Sequence, residues 1–201
     1  MSFVVGLTGG IGCGKSAASS IFSDLGISVV DTDVIAHRLT QPAGEAIEAI
    51  RTQFGPQFIA ADGALDRARM RGLVFSDVQE KKKLEAILHP LIRRQVMQEL
   101  ARATSPYALI VVPLLVETAA YSELIRRIVV VDCSEQQQIE RTMSRSGLPA
   151  GQVQAIMAGQ ASREQRLARA DDVLKNDSDI KELRSQVELL HRRYLELARA
   201  G

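Results

Sequence analysis

The clearest chemical signal lies near the N-terminus, where residues 9–16 have the spacing G-x-x-x-x-G-K-[ST] of a phosphate-binding loop. Its glycines allow successive backbone N–H groups to turn toward one anion without clashes at Cβ. We expect Lys15 to reach the terminal phosphates of a nucleoside triphosphate and the Ser16 hydroxyl to bind Mg²⁺. The residues predicted to bind the phosphates are Gly12, Cys13, Gly14, Lys15, Ser16 and Ala17.

The segments on either side of this loop fit the strand and the helix that the motif requires. Residues 3–7 are apolar and partly β-branched, which predicts a buried strand, and the apolar spacing over residues 17–25 predicts a helix. That helix would bring the partial positive charge of its N-terminus to the phosphates. The alternative is a glycine-rich turn with a purely structural role, but the matching flanks favour the phosphate site.

Two aspartates, Asp31 and Asp33, follow the next predicted strand at residues 27–30. One helix separates this strand from the first, as in a βαβ unit, so we expect a parallel sheet. Ligands bind beyond the carboxyl ends of such strands, which places both carboxylates on the edge that carries the phosphate loop. A carboxylate there can take a proton from a substrate hydroxyl or hold Mg²⁺ through water. The alternative is that Asp33 caps a helix beginning at Val34.

The chain as a whole predicts an α/β fold, with a five-stranded parallel sheet flanked by helices, a helical substrate-binding insertion and a helical lid. Apolar runs predict the remaining strands at residues 108–112, 127–132 and 170–174. Pro90 is expected to kink a long helix of the insertion, and His89 beside it is either a site residue or a structural histidine. We expect one domain over residues 1–201, with a core at about 1–33, 105–134 and 166–201, the insertion at about 34–104 and the lid at about 135–165.

The predicted lid carries Arg141 and Arg145, which lie four residues apart and so share one helix face. A mobile lid would close their guanidinium groups onto the phosphates and exclude water. The alternative is a surface helix with two exposed arginines. The phosphate loop elsewhere in the chain favours the lid.

Two further positions at predicted strand ends bear on the site. Asn176 follows the fifth strand, where its amide could pair with the edge of an adenine base. Pro113 stands near the strand end at which many phosphate-loop enzymes have an aspartate that supports Mg²⁺. Support for the ion would therefore come from Asp33 or Glu117, through water.

Composition narrows the setting in which the protein works. A net charge of +1 provides no strong field for nucleic acid or membranes, and no apolar run approaches the ~20 residues of a membrane span. Two cysteines do not make a disulfide framework, which favours a reducing compartment. We therefore expect a cytoplasmic protein that binds neither nucleic acid nor membrane and shows no sign of an obligate protein partner.

These residues together predict a kinase, because phosphoryl transfer needs alignment and charge stabilisation more than covalent help. Two alternatives remain at this point. One is a kinase for another small acceptor, resembling shikimate kinase, although the long helical insertion exceeds what a compact acceptor needs. The other is a regulator that binds ATP without transferring phosphate, which the aspartate and the arginine pair disfavour.

The chain resembles the dephospho-CoA kinase family over its whole length. The opening residues 3–16 match that family, and later signatures follow in the same order. They are Asp31-Thr32-Asp33, Leu65-Asp66-Arg67, His89-Pro90, Val112-Pro113-Leu114-Leu115 with Glu117, Arg141 with Arg145, and Ala170-Asp171-Asp172-Val173 with Asn176.

The resemblance implies ATP-dependent phosphorylation of the ribose 3′-hydroxyl of dephospho-CoA, the last step of coenzyme A synthesis. It implies that residues 34–104 bind CoA, that Asp33 is the base and that Asn176 lies beside the adenine of ATP. The implied catalytic residues are Lys15, Asp33 and Arg141, and the implied substrate-binding residues are Asp33, Arg67, His89, Leu114 and Glu117. The sequence departs from the family at Cys13, where serine is usual. A thiol near a helix N-terminus can have a lowered pKa and be open to oxidation.

Overall fold

Five strands form one parallel sheet in the computed structural model, which describes residues 3–200. The strand order is β2-β3-β1-β4-β5, and every neighbouring pair runs parallel. The strands are β1 (Phe3–Gly9), β2 (Ser28–Asp31), β3 (Tyr107–Val111), β4 (Arg127–Asp132) and β5 (Asp172–Lys175). The predicted α/β fold with a five-stranded parallel sheet is confirmed.

Helices connect these strands, as parallel pairing requires. A 3₁₀ turn covers Pro56–Phe58. The α-helices within residues 3–200 are α1 (Lys15–Asp24), α2 (Thr32–Leu39), α3 (Ile47–Phe54), α4 (Arg67–Ser76), α5 (Val78–Arg102), α6 (Leu115–Thr118), α7 (Glu135–Ser146), α8 (Ala150–Ala158), α9 (Arg163–Ala168) and α10 (Ile180–Ala200).

The register of the sheet brings the carboxyl ends of its strands to one edge. Gly9 at the end of β1 is paired with Val131 of β4, and Asp132 at the end of β4 is paired with Lys175 of β5. Asp31 ends β2 beside Val111 of β3. The phosphate loop therefore leaves the sheet from its central strand, at the edge where ligands of parallel sheets bind.

The main core lies between the sheet and the helices α1 and α10. Phe22 of α1 stacks on Tyr194 of α10 with ring centroids 6.4 Å apart, and Tyr107 of β3 meets Tyr194 edge-on at 5.5 Å. All three side chains are fully buried. The apolar stripe of α10 thus packs on the sheet as its helical spacing predicts, which fixes the strand ends from which the site is built.

Two compact units divide the chain. The first holds the whole sheet and comprises residues up to Asp31 and from Arg102 onward, and the second is Thr32–Ala101. The second unit has its own buried side chains, among them Ile35, Ile50 and Phe54. It is helical throughout apart from short turns and one isolated bridge between Ile59 and Leu65.

Three local features bear on the sequence expectations. Helix α2 begins at Thr32, so Asp33 lies inside its first turn and does not cap a helix beginning at Val34. Helix α5 contains Pro90 in its interior, and the kink expected there stays a prediction. Helix α9 was not expected. Among residues 3–200, no helix has the length and hydrophobicity to cross a membrane.

Candidate active site

The phosphate loop spans the gap between the last residue of β1 and the first residue of α1. Gly12 and Gly14 have φ angles of 75° and 96°, a left-handed backbone that side chains rarely tolerate. A Cβ at Gly12 would also lie 2.7 Å from Thr142 Oγ1, and one at Gly14 would collide with the Asn176 amide. Glycine is therefore required at both positions, by backbone angle and by space, for the loop to keep its curved shape.

Lys15 is folded back over this loop. Its Nζ donates to the carbonyl oxygens of Gly9 and Gly10, at 2.8 and 3.1 Å. Ser16 follows in the first turn of α1 and is exposed, and the first intrahelical bond is that of Ala18 N–H to the Gly14 carbonyl. A positive charge and an open helix N-terminus thus occupy the same place, which is the arrangement that binds phosphate.

Asn176 joins three parts of the site. Its Nδ2 donates to the Cys13 carbonyl at 2.7 Å, and its own N–H donates to the Asp132 carbonyl at 2.8 Å. Its carbonyl accepts from Arg141 at 2.9 Å. The residue expected to face adenine therefore also supports the phosphate loop, and the structure brings Cys13, Arg141 and Asn176 together.

The two predicted lid arginines differ in their surroundings. Arg141 is half-buried and bonded to the Asn176 carbonyl, whereas Arg145 is exposed in the last turn of α7. A guanidinium has five N–H donors, so one bond to a carbonyl leaves Arg141 with further capacity. The pair therefore does not point outward together as two equivalent surface side chains.

Residues of α9 and of the turn before it contact the phosphate loop. The sequence analysis did not predict them as site residues. The Gln160 side chain accepts from Ile11 N–H at 3.1 Å. Arg166, only 6% exposed, lies against Gly10, where an added Cβ would be 2.8 Å from its NH2, and it donates to the Ala161 carbonyl. A readable signal existed, because Ser162 and Gln165 have capping-box spacing and both reciprocal bonds are present.

An ion pair attaches the start of α9 to the sheet. The Arg163 guanidinium donates through Nε and NH2 to the two carboxylate oxygens of Asp132, at 2.9 and 2.7 Å. Asp132 is buried at the carboxyl end of β4, and this bond raises the pKa of Arg163 above its ordinary value. The pair therefore fixes the helix that holds Arg166 against the loop.

Cys13 is buried beneath the loop, with its Sγ 3.3 Å from that of Cys133. Cys133 directly follows β4, and its thiol donates to the Cys13 sulfur. This hydrogen bond lowers the pKa of Cys13 against the opposing effect of burial, and nearby Lys15 and Arg166 act in the same direction as the bond. The hydrogen bond and burial both raise the pKa of Cys133. Cys13 is thus the more acidic thiol of the pair.

Glu117 and Leu114, two predicted substrate-side residues, lie beyond the end of β3. Glu117 accepts from Ala161 N–H at 2.8 Å and so anchors the turn before α9. Leu114 is 41% exposed and immediately precedes α6. Glu117 therefore has a structural contact in addition to the role that the sequence predicts for it.

The second unit contains the other predicted acceptor-side residues. Asp33 is exposed in the first turn of α2, and His89 is exposed on α5. Arg67 begins α4 and donates to Thr40 Oγ1 at 2.7 Å, just past the C-terminal end of α2. Asp33 precedes Thr40 by seven residues, so about 10 Å along the helix axis separates that contact from Asp33. Within residues 3–200, no three His, Cys, Asp or Glu side chains are grouped as metal ligands.

Comparison with known proteins places this site in a family. The model of the family described as dephospho-CoA kinase matches residues 3–182. A dephospho-CoA kinase from Aromatoleum aromaticum is 56% identical over 198 residues, covering 98% of this chain and 97% of that protein. A solved structure from Thermus thermophilus has a TM-score of 0.83 at 32% identity, covering 95% of this chain and 97% of that one. A dephospho-CoA kinase structure from Campylobacter jejuni has a TM-score of 0.70 at 27% identity, covering 98% of both chains. With its glycine loop, Lys15 and the parallel sheet that positions them, the chain belongs to the dephospho-CoA kinase family.

Proposed function

We propose that this protein transfers the γ-phosphoryl group of ATP to the ribose 3′-hydroxyl of dephospho-CoA, giving CoA and ADP as the final step of coenzyme A biosynthesis. The observation that carries the proposal is the Lys15 ammonium held over the glycine loop at the open N-terminus of α1. Phosphoryl transfer depends on alignment and charge stabilisation, and this arrangement supplies both.

On the donor side, the loop and the first turn of α1 bind the phosphates. Lys15 neutralises charge that develops on the transferred group, and the backbone N–H groups of residues 12–17 orient it. Arg141 and Arg145 approach from the lid segment, at about residues 135–165. Asn176 contacts adenine through the amide oxygen, while its nitrogen donates to the Cys13 carbonyl.

Mg²⁺ would be held by the Ser16 hydroxyl together with the phosphates. Ser16 suits the ion because it offers a hard oxygen, exposed in the turn where the phosphates bind. When bound, Mg²⁺ neutralises charge on the β- and γ-phosphates. Support through water would come from Asp33 or from Glu117, whose carboxylate also accepts from Ala161 N–H.

On the acceptor side, the Asp33 carboxylate orients the ribose hydroxyl and takes its proton. Its position, two residues beyond the end of β2, follows the strand that ends at the ligand-binding edge of the sheet. The substrate itself is bound by the helical region at about residues 34–104, with Arg67 and His89 as contacts, and by Leu114 after β3. We place the reaction in the cytoplasm.

The test offers ATP and Mg²⁺ with dephospho-CoA, AMP or shikimate in separate reactions and measures ADP release. Turnover with dephospho-CoA alone is the expected result. Turnover with shikimate and none with dephospho-CoA would contradict the proposal, as would ATP binding without any acceptor-dependent ADP release.

Lys15→Ala provides the matching variant. It should lower kcat/KM by about 100-fold or more, equivalent to roughly 3 kcal/mol of transition-state stabilisation. Arg199→Ala is the control, since Arg199 is an exposed cation in the last turn of α10, outside the proposed sites. Equal activity in both variants would show that the phosphate loop has been wrongly located.

A further inference from the structure

We propose that Cys13 and Cys133 form a reversible intramolecular disulfide that switches off the phosphate loop. The two sulfur atoms lie 3.3 Å apart, and both side chains are 1% exposed or less. A disulfide bond is about 2.05 Å long, so closure requires the sulfurs to approach by about 1.3 Å. The chain has two cysteines, so one intramolecular disulfide is possible.

The positions of the two cysteines explain why a disulfide between them would affect the phosphate loop. Cys13 lies within the phosphate loop, where its N–H donates to the Gly10 carbonyl and its carbonyl accepts from Asn176. Cys133 lies between the end of β4 and Ser134, the N-cap of α7. A bond between them would attach the loop covalently to the sheet and to the start of the predicted lid.

The pair is chemically suited to oxidation by a peroxide. The Cys13 thiolate, favoured by the Cys133 hydrogen bond, attacks one peroxide oxygen, and the O–O bond breaks to give a sulfenic acid and hydroxide, which takes up the proton released by the thiol and becomes water. The Cys133 sulfur then attacks the Cys13 sulfur, loses its proton and displaces the sulfenic oxygen as a second water. Both thiols are oxidised by two electrons in total, and the peroxide is reduced. A dithiol reverses the change by exchange through a mixed disulfide.

The movement needed for closure falls mainly on the loop. Cys133 is held at the end of a paired strand, and its carbonyl accepts from the buried Gln138 amide at 3.3 Å. Cys13 is flanked by Gly12 and Gly14, the most easily displaced backbone of the site. A displacement of about 1 Å in a reacting group can cost 100-fold in rate, so a strong loss of turnover is expected.

The experiment treats the folded full-length protein with hydrogen peroxide and measures three quantities on the same samples. Titratable thiols should fall from two to none, and the intact mass should fall by two hydrogen atoms with the protein still monomeric on a non-reducing gel. Dephospho-CoA-dependent turnover should fall at least tenfold and return after dithiothreitol. The thiol and mass readouts do not depend on the proposed function, whereas the turnover readout rests on it, so the two failures are distinguishable.

Cys133→Ala is the matched control, with Cys133→Val as a second variant in case the first folds poorly. Either variant should retain wild-type turnover before treatment, because the Cys133 thiol is bonded to the Cys13 sulfur, whereas the loop is proposed to bind the phosphates through its backbone N–H groups. After hydrogen peroxide treatment, neither Cys133 variant should show the inhibition, reversible by dithiothreitol, that the wild-type protein shows at the same peroxide concentrations. Two thiols that persist in the native wild-type protein would overturn the disulfide. A disulfide that forms without loss of turnover would overturn the switch.

Discussion

The attachment of α9 to the sheet allows a stability test with a built-in control. Arg163 binds Asp132 and Arg184 binds Asp24, with closest N···O distances of 2.7 and 2.9 Å. The acidic partner differs: the Asp132 side chain is 6% exposed, whereas that of Asp24 is 55% exposed. The arginines are equally exposed, at 46% and 45%. Replacing each arginine by alanine therefore compares a buried carboxylate that accepts two bonds from its arginine with an exposed carboxylate that accepts one.

The expected cost follows from what each carboxylate loses. Removing one partner of a buried ion pair costs ~3–5 kcal/mol, but water reaches the half-exposed Arg163 site, so we expect about 2 kcal/mol for Arg163→Ala. The Asp24 pair is exposed on both sides, and Arg184→Ala should cost under ~1 kcal/mol. For a chain of this size, about 2 kcal/mol lowers the melting temperature by roughly 4–8 °C.

Urea unfolding at pH 7 measures both variants, and steady-state kinetics in ATP gives a second readout. Because α9 carries Arg166 against Gly10, Arg163→Ala should also raise the KM for ATP, whereas Arg184→Ala should leave it unchanged. A loss of stability for Arg163→Ala no larger than that for Arg184→Ala would refute the reasoning from burial. An unchanged KM alongside a large loss of stability would refute the link from α9 to the loop.

Three further outcomes are expected. Asp33→Asn should lower kcat at least tenfold with little change in ATP affinity by titration, and a change in affinity alone would make Asp33 a nucleotide or metal contact. Tyr194→Phe removes a 2.8 Å bond to the buried Asp172 carboxylate and should cost about 2 kcal/mol in urea unfolding, against about 1 for Tyr107→Phe, whose partner is a histidine. The pKa of Asp172 is lowered because hydrogen bonds from Arg127 and Tyr194 outweigh burial, which acts to raise it. The stability contributed by the charged Asp172 is therefore present above its ordinary pKa of 3.8 and is lost as pH falls below that value. Asp172→Asn should have a lower urea midpoint than the wild-type protein at pH 7, and its midpoint should change less between pH 5 and about pH 2.5.

Much of the fold could be predicted because its signals are local. The run Arg127–Asp132 is a strand at the predicted bounds, since a short β-branched segment in a parallel sheet is buried on both faces and has few alternatives. Helix α8, within the predicted lid, begins at Ala150 after Pro149, which suits the start of a helix. The phosphate loop was recognisable because its chemistry dictates both residue types and spacing.

The contacts that complete the site could not be predicted from local sequence patterns. Asn176 and Cys13 are 163 residues apart, and Cys13 and Cys133 are 120 apart. No periodicity links residues at these separations, because the crossover connections alone decide which strand ends become neighbours. Helix α9 was not predicted for a different reason: it has six residues, which are too few to show an apolar stripe. Its capping box is the sequence signal that indicates a helix there.

The geometry of Asn176 explains why an amide serves at this position. Its nitrogen donates to the Cys13 carbonyl and holds the loop, and the adenine contact that we propose falls to its oxygen, which can accept from an exocyclic amino group. A carboxylate could accept from the base but could not donate to Cys13, and alanine could do neither. Base recognition and loop support would then pass through one planar group. Under this proposal, a nucleotide seated against that group would meet a loop already held by the bond from Asn176 to Cys13.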